Sequence, residues 1–349
     1  MRMPERNGFI EAAFKEERPL FLVWGSPYRG PRSLVLAREL GIPDLHYLYC
    51  TSRRGLLSAL FKYPYQAIGS LWLLFRKRPS LVFVQSPPSF AIIFVYLYCR
   101  LTGASYVVDA HSAAFQVSAW KRPESLYRHL ARNALTTIVT NERFQQAIQA
   151  WGASAFVLRD VPTHFDIKSR CTLNGGFHVA VVNSYSIDEP LAEILEAARK
   201  LPRVSFHISG DKRMAPRQLL TSAPTNVRFT GFLPDQEYYA LLNAAHAVLC
   251  LTTRDMTMQR GGCEALSLGK PMIVSDWPIL RNYFHRGAVH VPNTRDGIRD
   301  GVVELMENYD RYLREVRELR DLGQREWLRK RTALIELVQS AARPARSAC

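Results

Sequence analysis

Residues 247–271 read AVLCLTTRDMTMQRGGCEALSLGKP. The run Ala247–Leu251 is apolar throughout, as expected of a strand covered on both faces. It breaks into a polar stretch, then Gly261-Gly262, then a helix-like segment with one acid, Glu264, near its start. A strand that hands over to a helix through glycines admits two readings. It can be a turn that needs small residues, with Glu264 merely complementing a helix dipole. It can also seat a nucleotide, the amides near Gly261 and Gly262 meeting pyrophosphate and Glu264 accepting ribose hydroxyls.

Working outward, strands and helices alternate along the whole chain. Strands are expected at 20–24, 46–50, 81–85, 105–109, 137–140 and 155–158, with helices between them at 33–40, 56–75, 90–101, 124–134 and 142–151. The stretch VPTHFDIKSRCTLNGG (161–176) interrupts the rhythm with Pro, polar residues and paired Gly, like a linker. The pattern restarts with strands at 177–182, 205–209, 227–230, 247–251, 272–275 and 288–291, and helices at 189–201, 235–245, 262–268 and 295–320. Such alternation predicts an α/β chain of two doubly wound, Rossmann-like domains. Their expected extents are 1–165 and 166–325, with 326–349 crossing back to the first. Facing domains of this kind leave a cleft lined by the C-terminal ends of their strands, where ligands bind.

At 349 residues, 47% hydrophobic and 22% charged, the chain has the composition of globular domains rather than of disorder. Six scattered cysteines without C-x-x-C spacing favour neither a disulfide framework nor a zinc site, and fit a reducing, cytoplasmic setting. The N-terminus lacks the apolar core of a secretory signal. Residues 79–99 carry no charge, but Pro87-Pro88 at their middle makes a strand, a turn and a buried helix the better reading than a membrane span. The net charge of +15 concentrates in the first half. Segment 53–78 holds six Lys/Arg and no acid, interleaved with Leu, Phe, Tyr and Trp. It suits an anionic membrane surface; nucleic acid and an ordinary amphipathic helix are the competing readings.

Several chemistries drop out. No G-x-G-x-x-G follows a strand, and Gly25–Arg32 has P-loop glycine spacing without the Lys-Ser/Thr pair. No H-E-x-x-H or D-x-D offers a local metal site, and no G-x-S-x-G marks a hydrolase. What remains sits at strand ends. Gly210-Asp211-Lys212-Arg213 puts two cations after one strand, and the turn at Gly231-Phe232 follows the next. Arg260 precedes the glycine pair. In the first half, Asp109 and His111 close a strand. Asp109 there is either a catalytic carboxylate or a helix cap. Gly25 and Ser26 follow the first strand.

The stretches VRFTGFLPDQEYYALLNAAHAVLCL (227–251) and CEALSLGKPMIVSD (263–276) resemble the donor domain of GT-B glycosyltransferases, particularly the glycosyl transferases group 1 family. Its motif of two acids eight residues apart implies that Glu264 contacts the donor ribose. The first acid would fall at 256, where this chain has Met256, with Asp255 adjacent and off register. VVNSYSIDEP (181–190) and VQSPPSF (84–90) followed by YVVDAHS (106–112) are similar to the β-1,4-mannosyltransferase of the dolichol pathway.

The resemblance implies a hexosyltransferase that moves a sugar from a nucleotide-sugar to a glycan or polyprenyl-linked acceptor, a lipid-linked or cell-surface polysaccharide precursor. Asp109 and His111 are the expected catalytic residues, Gly25 and Ser26 lie on the expected acceptor side, and Gly210, Lys212, Arg213, Phe232, Arg260, Gly261, Gly262 and Glu264 form the expected donor site. Neither metal nor other cofactor is expected, nor nucleic acid as a partner. The expected location is the cytoplasmic face of a membrane, peripherally bound. A nucleotide-sugar epimerase of the same fold and a degenerate membrane-associated binding protein are the rivals.

Overall fold

The computed structural model describes residues 14, 17–25, 31–50, 56–116, 123–159 and 165–342. The chain divides into two compact units, one of Met1–Val161 with Trp327–Cys349 and one of Pro162–Glu326. Both are α/β, and each is built on a six-stranded, wholly parallel sheet.

The first sheet has the order β2-β1-β3-β4-β5-β6. Its strands are β1 (Pro19–Val23), β2 (Asp44–Tyr47), β3 (Leu81–Ser86), β4 (Ser105–Ala110), β5 (Thr136–Val139) and β6 (Ala155–Val157). Consecutive residues of β1, β3 and β4 are buried on both faces, which explains their unbroken apolar runs. On one face Phe21, Val23, Phe83, Val107 and Ile138 pack with Leu36 and Leu40, and with Trp327, Leu334 and Val338 of the last helix. That helix, Tyr309–Ala342, also carries Val316 into the core of the second unit. Trp24, just after β1, stacks on Phe94 of the helix Phe90–Thr102 and donates its indole N–H to Ser70 of the helix Leu56–Lys77.

The second sheet has the order β12-β11-β10-β7-β8-β9. Its strands are β7 (Phe177–Val182), β8 (Val204–Ser209), β9 (Val227–Gly231), β10 (Ala247–Cys250), β11 (Met272–Ser275) and β12 (Ala288–Val291). Odd residues of β7 and β10 feed one core, with Phe206, Ile208 and Ile298. Even residues feed another, with Leu280 and Phe284. Chain direction across the sheet reverses between β1 and β3 in the first unit and between β7 and β10 in the second. These reversals are the topological switch points at which ligands of open parallel sheets sit, beyond the strands' C-terminal ends.

All twelve expected strands form, β2 two to three residues earlier than expected. The sequence reading missed the helices Ala113–Gln116, Arg217–Thr221 and Pro278–Tyr283, each too short to show a 3.6-residue period. The single helix expected at 295–320 is two, Arg295–Glu307 and Tyr309–Ala342, separated at Asn308.

Candidate functional site

In the first unit the chemistry collects where β1, β3 and β4 end. The register pairs Gln85 of β3 with Asp109 of β4. The helix Pro31–Glu39 starts beside them and brings in Arg32 and Ser33. Ser33 Oγ lies 2.9 Å from Gln85 Oε1 and 3.3 Å from Asp109 Oδ2. Arg32 Nε is 3.7 Å from Asp109 Oδ1, and Arg32 Nη2 donates to the Leu158 carbonyl at 3.0 Å. His111 Nε2 is 3.1 Å from Asp109 Oδ2. With a carboxylate on Nε2, the neutral ring carries its proton there and keeps Nδ1 as an acceptor.

This geometry corrects the expectation that Asp109 takes a proton from the acceptor. The Asp109 side chain is fully buried, whereas that of His111 is 22% exposed. Burial pushes the Asp109 carboxyl up, but His111, Arg32 and Ser33 together hold it below its ordinary value. A sealed, weakly basic carboxylate orients and polarises; the accessible imidazole is the group that can meet a substrate. Nor does Asp109 cap a helix, since its oxygens face His111, Arg32 and Ser33. Gly25 follows β1, where a Cβ would meet only Val23 Cγ1 at 3.7 Å, an ordinary contact. Ser26 lies outside the described residues.

In the second unit the candidate residues surround the switch point of β7 and β10. After β7 the loop 183–190 folds on two acids. Glu189 Oε2 accepts from the amides of Ser184 and Ser186 at 2.8 and 2.9 Å and from Ser184 Oγ at 3.0 Å. Burial raises the Glu189 carboxyl above its usual range despite these donors. Asp188 Oδ2 accepts from Thr252 Oγ1 at 3.0 Å, and its carbonyl takes the Thr253 amide, so the loops after β7 and β10 are tied together.

Gly210 directly follows β8 with φ of 134°, and a Cβ there would stand 2.2 Å from the Asn183 carbonyl oxygen. Glycine is therefore required by the close passage of the β7 loop. Lys212 and Arg213 lie in the one-turn helix that follows, and they differ. Arg213 forms a fork with Asp211, Nε to Oδ1 at 2.9 Å and Nη2 to Oδ2 at 2.7 Å. Its charge is thus already matched, a correction to its expected place as a phosphate-facing cation. Lys212 makes no ion pair among the described residues. Phe232 follows Gly231 at the end of β9, and its ring is exposed.

The helix Arg260–Leu268 begins two residues earlier than expected, so Gly261 and Gly262 lie inside its first turn, buried. A Cβ on Gly261 would come 2.8 Å from both Cys250 Sγ and Val182 Cβ, and one on Gly262 would come 2.8 Å from Phe284 Cζ. The Gly262 amide donates to Gln259 O at 3.1 Å. The pair lets the helix sit hard against the sheet; it does not offer two open amides to a phosphate, as the sequence reading expected. Glu264 is likewise enclosed. Its Oε1 takes Arg260 Nε and its Oε2 takes the Tyr238 hydroxyl, both at 2.6 Å. Arg260 in turn reaches Tyr239 Oη at 3.4 Å. Glu264 is a clamped carboxylate rather than the open ribose acceptor that was expected. Met256 has a left-handed φ of 62°, and its amide donates to Asp255 Oδ1 at 2.6 Å. Asp255 is turned back on its own neighbour and does not stand in for the missing acid.

Sequence reading missed Tyr238, Tyr239, Arg32, Ser33, Gln85 and the Asp188-Glu189 pair. The tyrosines stand 26 and 25 residues before Glu264, beyond any local spacing rule. Asp188-Glu189 carried a usable signal, being adjacent acids in the short loop after an apolar strand.

Comparison with known proteins agrees with this fold. A glycosyl transferase 4-like domain matches residues 21–162, and a glycosyl transferase-like domain matches residues 189–334. No curated protein sequence matches the chain. Among solved structures, the sucrose-phosphate synthase of Thermosynechococcus elongatus superposes with a TM-score of 0.68 at 13% identity, over 92% of this chain and 98% of that one. Anabaena HepE in complex with UDP gives 0.67 at 14% identity, over 92% and 99%. An assigned UDP-N-acetylglucosamine 2-epimerase from Listeria monocytogenes gives 0.61 at 12% identity, over 86% and 91%. Two Rossmann-like units, each matched to a glycosyltransferase domain, define a GT-B glycosyltransferase. Within that class the chain belongs to the group 1 type.

Proposed function

We propose that this glycosyltransferase moves a hexose from a nucleoside-diphosphate sugar to a hydroxyl of a membrane-borne acceptor, a glycan or polyprenyl-linked saccharide. The buried Asp109 under a partly open His111 is the observation that carries the reading. His111 Nδ1 accepts the acceptor's proton as its oxygen attacks the anomeric carbon, and Asp109 stabilises the imidazolium that forms. The bond from the anomeric carbon to the diphosphate breaks, and the leaving oxygens take up negative charge. Lys212 and the outer edge of Arg260 answer that charge, so the reaction needs no bound metal. Phe232 offers its ring to the base. The second unit takes the donor and the first the acceptor, at the cytoplasmic face of a membrane. The similarity of 84–112 and 181–190 to the dolichol-pathway mannosyltransferase supports a polyprenyl-linked acceptor. UDP in the HepE complex makes UDP the first nucleotide to try.

The test is calorimetric titration with UDP, GDP and ADP, followed by a screen of the matching nucleotide-sugars with lipid extract. Binding of none of the three would sink the enzyme reading. The epimerase neighbour supports a second reading, in which the donor itself is rearranged. Sugar analysis after incubation without acceptor separates the two.

A further inference from the structure

The helix Leu56–Lys77 covers one face of the first sheet with its inner side, where Gln66, Ser70, Leu73 and Leu74 are buried. Gln66 donates to the Leu48 carbonyl at 2.7 Å, and Ser70 takes the Trp24 indole N–H at 2.7 Å. Its outer side is apolar as well. Phe61, Tyr65, Ile68, Trp72 and Phe75 are 45–77% exposed. Offsets of four, three, four and three residues put them on a single stripe. The adjoining helix Phe90–Thr102, joined through the contacts Tyr63–Phe90 and Phe75–Tyr98, adds exposed Leu97 and Leu101. Water-facing apolar surface of this extent marks an interaction site.

Charge identifies the partner. Between Asp44 and Asp109 the sequence has no acid over 64 residues, and it has seven Lys/Arg. The stripe and its neighbouring helix therefore carry cations alone: Lys62, Arg76, Lys77, Arg78 and Arg100 lie on or beside them. Arg76 stacks over the Trp72 ring at 5.4 Å, and Lys77 also reaches Asp44 of β2 at 3.2 Å. No helix among the described residues is long and apolar enough to cross a membrane. Aromatics and aliphatics along one side with an excess of positive charge around them suit the headgroup boundary of an anionic bilayer, entered sideways.

We propose that this stripe is a membrane-docking face that lies in the plane of an anionic lipid bilayer. The helix follows β2, so its Phe61 end starts at the same sheet edge that holds His111. Docking there brings that edge to the bilayer surface, where a lipid-borne acceptor is met. The inference rests on the reading of a membrane-borne acceptor but is tested without turnover.

The experiment is flotation of the full chain, without nucleotide, on vesicles of phosphatidylcholine alone and of phosphatidylcholine with phosphatidylglycerol in equal parts. The chain should float with the anionic vesicles, be released by salt, and stay behind with the neutral ones. Phe61→Ser with Trp72→Ser should weaken binding about tenfold or more, as expected from withdrawing two interfacial aromatics. Arg76→Glu should weaken it on anionic vesicles. These side chains are exposed, so unchanged circular dichroism and urea midpoint should accompany the loss. Absence of flotation, or equal flotation on both vesicles, overturns the proposal. So does a wild-type dimer that the double variant dissolves, since the stripe would then cover a second copy. Nucleotide titration reads the proposed function separately: a chain that floats but binds no nucleotide refutes that function and leaves the docking face standing.

Discussion

The Tyr238 hydroxyl donates to Glu264 Oε2 at 2.6 Å, across the packing of two helices, while Arg260 holds the other carboxylate oxygen. Glu264 is buried, so its orientation depends on these two donors. Tyr238→Phe removes one and leaves a desolvated lone pair. A hydrogen bond to a charged group contributes about 1.5–3 kcal/mol, and the variant should lose stability in that range by urea denaturation. If Glu264 acts on the donor, nucleotide affinity should fall with it. An unchanged midpoint would show that the carboxylate is held by Arg260 alone.

The two catalytic candidates should separate under mutation. His111→Gln, whose amide can still donate to Asp109 as the ring does at 3.1 Å, should lower turnover about 10²–10⁴-fold, the usual loss for a general base, with little loss of stability. Asp109→Asn should lower turnover too, and it should also destabilise the first unit, since it leaves Arg32 facing a neutral buried group. Steady-state rates beside urea midpoints test this. An Asp109→Asn enzyme with full activity would remove Asp109 from the mechanism.

This contrast shows where sequence reading stopped. Twelve strands were legible because a parallel sheet covered on both faces leaves unbroken apolar runs, as Leu81–Val84 and Ala247–Cys250 do. Their order placed Asp109, His111, Gly210 and Glu264 at strand or helix ends. What each side chain touches was not legible. Asp109 and His111 are two residues apart in the chain, yet one is sealed and the other open, because Arg32 and Ser33 arrive from a helix more than 70 residues earlier. Gly261 and Gly262 resembled a phosphate loop for the same reason: the Phe284 ring and Cys250 that demand glycine come from other elements.

The glycine pair yields a packing prediction. Gly262→Ala places a methyl 2.8 Å from the end of the buried Phe284 ring. Overpacking of this kind costs about 1–3 kcal/mol. Trimming the obstacle with Phe284→Leu in the same chain should return part of the loss. Thermal melts of the two single variants and the double variant give the coupling. Strict additivity would show that the glycine serves something other than this contact.

Asp109 also sets an acid limit on stability. Its folded carboxyl lies below the ordinary value of 3.8, with burial opposed and outweighed by His111, Arg32 and Ser33. The unfolded chain then binds the proton first, so this contribution is complete above 3.8 and fades as pH falls through the folded value. Asp109→Asn should show a shallower fall in urea midpoint over that acid window than the wild type. Parallel curves would mean that the pairing with His111 and Arg32 does not persist in solution.

A second pH response belongs to His207 and His246 of the second unit, which flank His178. His178 Nδ1 stands 3.1 Å from His207 Nε2, and the His178 amide donates to His246 Nδ1 at 3.1 Å. Burial lowers the pKa of His207 and of His246, and His178 adds to both shifts, with Arg228 beside His207 and Lys270 beside His246. A depressed folded value means that the unfolded state takes up protons first, below the ordinary value of 6.5. Stability from these rings is therefore complete above 6.5 and is lost as acidification passes their folded values. A urea midpoint followed from neutral pH to about 5 should fall, and His207→Gln should flatten the curve by removing one of the titrating rings. An identical slope in the variant would place the titrating group elsewhere, and a midpoint that rises on acidification would contradict the lowered values of His207 and His246.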